Sequence, residues 1–384
     1  RVDDREQYAV RGSLRWEVGA DTTIDLYASY FDEDDQRLRI QKQLCHRDPT
    51  GILGCLPDSR GFEYVNANAT LVSTLPSVQT LRAAGGAALG AAFAPLGLVN
   101  LTGPDALAGR VNPDDARVID SPFTPYYRAT EEQYQAHLAH DFGSVSLDLT
   151  GAYSKTRVNA GLDSTLAPLN RAVYATGLAT LASYAANGIP GIPGSAAFFA
   201  PAAAALIPNG PNGVLCTSLP NDANTGVFGG SSVCGDAPIN NDRSLQRTRT
   251  WSAEAILATD LDGPVNFLAG ATYVDNKISD NAYNVAAFGL DYASAVLGAL
   301  TSLGRTLQGA PTPPSFQGPS FFASATPEFR LKSYGIFGEV YFQASDDLKL
   351  TGGIRYNNDK KSLTARNQLL NFLIPYGTAD AYAS

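Results

Sequence analysis

Apolar and polar residues alternate with a period of two in four separated parts of the chain. Tyr8, Val10, Gly12, Leu14 and Trp16 stand opposite Ala9, Arg11, Ser13, Arg15 and Glu17. That is the pattern of a strand with one apolar and one polar face. A short turn over 18–21 leads into a second run, where Ile24, Leu26, Ala28 and Tyr30 share a face opposite Asp25, Tyr27 and Ser29. Two such runs joined by a few residues predict an antiparallel hairpin.

The pattern returns three times. Runs over 133–142 and 145–153 flank Gly143-Ser144, with Val145, Leu147, Leu149, Gly151 and Tyr153 on one face. Runs over 250–259 and 265–277 flank Asp260-Leu261-Asp262-Gly263-Pro264. Runs over 331–343 and 348–356 flank Ala344-Ser345-Asp346-Asp347, and Tyr334, Ile336, Gly338, Val340 and Phe342 continue into Leu348, Leu350, Gly352, Ile354 and Tyr356. The hairpins are thus expected at about 7–31, 131–154, 248–277 and 331–358.

The connections are as informative as the strands. Turns within hairpins are short, whereas the chain wanders over about 32–130, 155–247 and 278–330 between them. Ordinary loops have a median of about four to six residues. Strict alternation of short and long connections puts all long loops at one end of the sheet. That is the layout of an antiparallel transmembrane β-barrel with long extracellular loops.

Aromatic placement agrees. Tyr8, Tyr30, Tyr153, Tyr273, Tyr334 and Tyr356 lie near the long-loop ends of their strands, and Trp16, Phe142 and Phe342 near the short-turn ends. Tyr8 to Trp16 spans about 26 Å along a strand, or roughly 20 Å after a tilt of about 40°, close to the apolar band between aromatic girdles. A soluble β-sandwich would place the same aromatics in a core but leaves the loop asymmetry unexplained. Eight strands also suffice for a small closed barrel, on which such loops would be unusually long.

The opposite face carries Arg11, Arg15, Glu17, Asp148, Glu254, Glu339, Lys349 and Arg355. Mixed charge cannot sit in lipid or in a dry core, so these residues are expected to face a wet or plug-filled lumen; a plain solvated sheet face shows the same pattern.

Composition narrows the classes. The 384 residues are 44% hydrophobic but only 17% charged, with 36 Gly and 23 Pro. Average soluble domains carry about 25% charge. The net charge of −9 disfavours binding to nucleic-acid phosphates. There is no Met, and residues 1–6 are charged without an apolar signal core, so the chain is expected to be a fragment or a processed product. The four cysteines form two local pairs, Cys45 with Cys55 and Cys216 with Cys234. Local pairing is the cheapest of the three connectivities in loop-closure entropy, and it points to an oxidising compartment. Neither pair has the spacing of a zinc site.

Residues 334–361 read YGIFGEVYFQASDDLKLTGGIRYNNDKK. This stretch resembles a barrel hairpin of TonB-dependent outer-membrane receptors. The matching positions are Phe337, Glu339 and Phe342, the turn at Asp346-Asp347, Leu348, Leu350, Gly353, Arg355, Tyr356, Asp359 and Lys360. The first hairpin is similar to another, through Val10-Arg11-Gly12 and Leu26-Tyr27-Ala28-Ser29-Tyr30. The resemblance covers the strands and not the loops. It implies a 22-stranded barrel in the outer membrane of a Gram-negative bacterium, holding an N-terminal plug preceded by a TonB box. About eight strands are present here, and the chain stops at Ala383-Ser384 in what should be a loop. It is therefore expected to be part of a barrel whose plug and C-terminal strands lie elsewhere, because lipid does not tolerate open edges. Implied partners are outer-membrane lipid, the plug, TonB through it, and a small ligand such as a ferric siderophore or a saccharide.

The long loops contain further signals. Phe288, Tyr292, Val296, Leu300, Leu303 and Leu307 recur at helical spacing, and Leu178, Leu181 and Tyr184 suggest a second helix ended by Asn187-Gly188. Residues 83–99 are charge-free but Gly-rich and interrupted by Pro95, a poor membrane span. The pairs Tyr126-Tyr127, Phe198-Phe199 and Phe321-Phe322 are candidate ligand-stacking aromatics, set against simple packing of loop on loop. Asp32-Glu33-Asp34-Asp35 lacks calcium-loop spacing and reads as a solvated charge run. His137, His140 and Asp141 cannot converge on a metal from one strand, since 137 and 141 share a face that 140 does not. No nucleophile elbow, phosphate loop, zinc-protease helix or dinucleotide fingerprint occurs, so no enzyme activity, metal or cofactor is expected. The functional expectation is energised uptake of a scarce ligand. A passive porin, a carbohydrate-uptake receptor of the same family, and a secreted β-rich enzyme or adhesin are the alternatives.

Overall fold

The computed structural model describes residues 4–382. The readings placed on residues 1–3 and on Ala383-Ser384 lie outside them. Eight antiparallel strands form one sheet in sequence order: β1 (Gln7–Glu17), β2 (Thr22–Asp35), β3 (Tyr126–Asp141), β4 (Val145–Asp163), β5 (Asn240–Thr259), β6 (Val265–Ala287), β7 (Phe322–Ser345) and β8 (Leu348–Gln368). Every neighbour in the sheet is a neighbour in sequence, as meander topology requires. The closed eight-stranded alternative is not what forms: β1 and β8 do not pair among the described residues.

The strands run further toward the long loops than alternation alone reveals. β6 reaches Ala287 and β5 starts at Asn240. A register shift between Ser279 and Ala282, with Asp280 at φ 55°, bends this pair. Beyond that bulge most residues of the strand ends are buried or half-buried, so the two-faced pattern dissolves.

The three long loops fold together into a helical cap with its own core. Its helices are α1 (Val78–Phe93), α2 (Ala175–Asn187), α3 (Ala196–Leu206) and α4 (Phe288–Leu307). α1 is broken at Gly86, whose φ of 54° no helix accepts. No described helix is long and apolar enough to cross a membrane. Leu81, Phe93 and Leu96 of the first loop meet Leu178, Leu181 and Phe199 of the second and Phe288, Tyr292 and Val296 of the third. The Tyr292 hydroxyl donates to the carbonyls of Leu96 at 2.7 Å and Gly177 at 2.9 Å, so one side chain ties all three loops. Gly177 is required there because an added Cβ would lie 2.8 Å from the Gly97 carbonyl oxygen. The disulfides Cys45–Cys55 and Cys216–Cys234 staple the first and second loops. A short strand, Phe372–Pro375, pairs with Ser315–Gly318 and fastens the segment after β8 to the cap.

Candidate functional site: a two-faced sheet beneath a helical cap

Two adjacent register rows show the two faces of the sheet. Trp16, Ile24, Leu138, Leu149, Ala255, Ala271, Ile336 and Tyr356 are successive partners across all eight strands. None is charged, and only Trp16 and Tyr356 carry a polar group. One residue along, on the other face, the row reads Arg15, Asp25, His137, Thr150, Glu254, Thr272, Gly335 and Asn357. The apolar face is open to the surroundings: Ile354 is 80% exposed and Trp16 59%. A depression of about 920 Å³ on it lies over Gly12, Ala28, Ala136, Gly151 and Ala253 and is rimmed by Tyr134, Tyr153 and Trp251.

The aromatic residues of the apolar face form a continuous belt. It runs Tyr8, Tyr30, Tyr134, Tyr153, Trp251, Tyr273, Tyr334, Tyr356, one per strand. Four neighbouring pairs are in ring contact, with centroids 5.9 Å apart for Tyr8–Tyr30, 6.2 Å for Tyr134–Tyr153, 4.4 Å for Tyr153–Trp251 and 6.4 Å for Tyr334–Tyr356. Tyr134 and Trp251 were not among the aromatics singled out from sequence. Tyr134 lies mid-strand because β3 extends to Tyr126, and Trp251 lies well inside β5, which begins at Asn240.

The belt cuts diagonally across the register. Partner by partner, Tyr8 leads to Asp32, Thr130, Arg157, Arg247, Ser279, Glu328 and finally Thr364. The belt residue on β8 is instead Tyr356, eight residues nearer the short turns. Eight residues at about 3.3 Å and seven strand steps at about 4.8 Å give an inclination of about 38°.

The eight charged residues expected on the polar face all stand there. Arg15 binds Asp25 through two nitrogens at 2.7 and 3.0 Å. His137 bridges Asp25 at 3.5 Å and Asp148 at 3.1 Å. Glu339 accepts from the Tyr341 hydroxyl at 2.5 Å, and the Lys349 ammonium sits 4.6 Å from that ring. Arg355 covers the Phe337 ring at 5.2 Å and donates to Asn357 at 2.9 Å. Glu254 lies opposite Thr150 and Thr272, Arg11 opposite Ser29 and Glu17 opposite Thr23. Sequence alternation missed the contribution of His137 to the polar face, where its two carboxylate partners come from neighbouring strands.

The loop aromatics are used mostly for packing. Phe198 and Phe199 are buried, and Phe199 stacks against Phe93 at 5.7 Å and Tyr184 at 5.4 Å. Phe321 is enclosed with Ala286 and Ala323. These three present no face to a ligand, because the loops bury them in the cap or at its seam with the sheet. Tyr126, Tyr127 and Phe322 are half-buried at strand ends, and the Arg37 guanidinium lies 3.5 Å over the Tyr127 ring.

The acidic run at the base of the first loop corrects the expectation of a solvated run. Alternation along β2 turns Glu33 and Asp35 to the polar face, where both are buried. Arg37 reaches Glu33 at 2.9 Å, and only Asp32 and Asp34 turn the other way. No cluster of three metal-ligating side chains occurs among the described residues. His140 contacts the Thr22 hydroxyl at 2.6 Å, apart from His137.

A polar crevice of about 610 Å³ opens in the first loop between Arg47, Asp48, Asn66, Asn68 and Asp105. Asn68 is nearly buried, and its Oδ1 has no partner among the described residues. Arg47 is held by Asp105 and the Val65 carbonyl.

No family model matches the chain, and no curated protein matches it. Solved structures that resemble it include receptors for ferric compounds, by their descriptions. The ferric yersiniabactin uptake receptor FyuA from Yersinia pestis aligns over 94% of this chain and 34% of its own, with 8% identity and a TM-score of 0.37. The ferric-catecholate import receptor Fiu from E. coli K12 aligns over 94% and 35%, with 10% identity and a TM-score of 0.37. BauA, the ferric preacinetobactin receptor from Acinetobacter baumannii, aligns over 95% and 36%, with 12% identity and a TM-score of 0.37. The chain spans about a third of the length of each.

Proposed function

We propose that this chain is part of the transmembrane barrel of an outer-membrane receptor that takes up a scarce small molecule by energised transport. The observation that carries the reading is the slanted aromatic belt. A membrane interface cuts a tilted barrel in a plane, so its anchoring aromatics must shift along successive strands by an amount set by the tilt. The shift measured across eight strands corresponds to about 38°, inside the 35–45° typical of such barrels. A sandwich core has no reason to order its aromatics along one inclined line.

In this reading the apolar face meets hydrocarbon and the polar row from Arg15 to Asn357 lines the interior. The cap lies at the outer mouth, where its polar crevice and the half-buried Tyr126, Tyr127 and Phe322 offer contacts to a ligand. The free edges of β1 and β8 are completed by further strands. The resemblance at 334–361 adds a plug as interior partner and TonB as energy source, with a ferric siderophore as ligand class and a saccharide as the other option. The chemistry is binding and gating.

Site-directed spin labels test the orientation in the reconstituted full-length protein. A label at Ile336 should collide with lipid-soluble oxygen, and one at Glu339 with a water-soluble relaxant; water access at both would reject the membrane reading. Liposome swelling then separates gated from passive transport. No solute flux at rest is expected, whereas steady flux would favour a porin.

A further inference from the structure

Just beyond the belt, toward the long loops, the outward positions change from apolar to cationic. Lys155, Arg249, Lys277 and Arg330 are successive register partners on β4, β5, β6 and β7. Four cations thus stand side by side on one face and at one level. The adjoining rows repeat the motif, with Arg157 opposite Arg247 and Lys332 opposite Lys360. Like charges directly opposite one another destabilise a sheet.

Four carboxylates relieve part of this. Glu132 pairs with Lys155, Asp275 with Arg330, Asp280 with Arg247 and Glu328 with Lys277. Arg157, Arg249, Lys332 and Lys360 form no ion pair among the described residues, and all four are exposed. The excess of cations occurs in a chain of net charge −9. It is also one-sided: the short turns over 18–21, 142–144, 260–264 and 346–347 contain no Lys or Arg and five Asp.

We infer that this cationic terrace is a binding surface for phosphate-bearing lipid headgroups of the leaflet at the long-loop end. The inference rests on the membrane-spanning reading of the sheet. Belt aromatics mark the border between hydrocarbon and headgroups, and the cations begin one or two outward positions beyond Tyr153, Trp251, Tyr273 and Tyr334. A lipid whose chains lie on the apolar face would therefore bring its phosphate to the level of the unpaired guanidinium and ammonium groups. Arginine suits this role because its planar fork can hold two phosphate oxygens at once. Occupancy by phosphate removes the repulsion that the bare row carries.

The test is lipid selectivity of the full-length membrane protein in phosphatidylcholine bilayers. Spin-labelled phosphatidic acid and phosphatidylcholine with the same acyl chains report, by electron paramagnetic resonance, which lipid the protein surface holds. Phosphatidic acid should be preferred by about five-fold or more at low salt, with the preference shrinking in about 0.5 M salt. Arg249→Gln combined with Lys332→Gln should bring the ratio toward one, whereas Lys349→Gln on the polar face should leave it unchanged. Removing a charge from between Lys155 and Lys277 relieves repulsion, so the variant should fold; if it does not, Arg157→Gln gives the same comparison. Equal retention of both probes by the inserted protein, or undiminished selectivity in the variants, would overturn the inference. A protein that inserts into no bilayer would instead overturn the membrane reading.

Discussion

In the sheet the large apolar side chains stand outside, while in the cap the same residue types stand inside. Ile336, Ile354 and Trp16 are exposed, whereas Leu181, Phe199 and Phe288 are fully buried. The cap is therefore held by the removal of apolar surface from water, as an ordinary domain is. The sheet is held by its backbone ladder and by whatever apolar medium covers its outer face. The two halves of one chain should accordingly respond in opposite ways to the same kind of substitution, and to lipid.

The sharpest way to break the comparison is to hollow the cap. Phe199→Ala should destabilise it by about 3–5 kcal/mol, the usual range for a buried phenylalanine. Hydrogen exchange should show faster opening over α1, α2 and α3 with the sheet's ladder unchanged; equal loosening of the sheet would show that the two are one cooperative unit. Next comes charge on the outer face. Leu149 lies about midway between Tyr153 and Val145, so Leu149→Arg should cost about 2–4 kcal/mol of stability in lipid. Thr150→Arg, on the other face of the same strand, should cost far less. Comparable losses in reversible unfolding from bilayers would remove the distinction between faces.

Two smaller effects sharpen the account of the cap. Tyr292→Phe removes the hydroxyl proton shared by the Leu96 and Gly177 carbonyls and should cost about 1–3 kcal/mol, seen as faster exchange in all three loops together. The last prediction concerns pH. Asp291, at the first turn of α4, accepts from the Ser218 amide at 2.7 Å and hydroxyl at 2.6 Å. Its burial pushes its carboxyl up to about 7, from an ordinary value of 3.8. The folded cap then keeps a proton that the unfolded chain releases. Stability from this group is complete below about pH 4, falls as pH rises toward 7 and is level above, with a slope of at most about 1.4 kcal/mol per pH unit. Asp291→Asn should flatten that profile in exchange-monitored unfolding of the cap; an unchanged slope would assign it to other groups.

The sheet was largely legible before the fold was known, and the cap was not, for a physical reason. Between two media of opposite polarity a strand must alternate, so Leu14, Leu149 and Ile336 announce their face individually. Above the belt both faces meet polar groups or the cap, and the alternation that would have traced β5 back to Asn240 and β6 on to Ala287 is gone. Helical spacing identified Phe288 to Leu307 as an amphipathic helix, and the structure has it. Nothing local to Leu96, Gly177 or Tyr292 signals that they meet, since their closeness is a property of three loops folded together. The buried Glu33 and Asp35 were misread because charge density alone suggests solvent, whereas their burial depends on Arg37 and on residues that return from far along the chain. The belt occupies the middle ground: its members were mostly visible as aromatics, but its slant emerged only from the register.

In the proposed barrel, the hydroxyl of Tyr292 would limit how the outer mouth opens. With the first two loops bonded to a helix of the third, none can swing away alone without breaking a hydrogen bond in an apolar interior. Passage of a solute past the cap would then either raise a single rigid lid or skirt its rim, and the barrier to entry would be that of one concerted movement rather than of three independent doors.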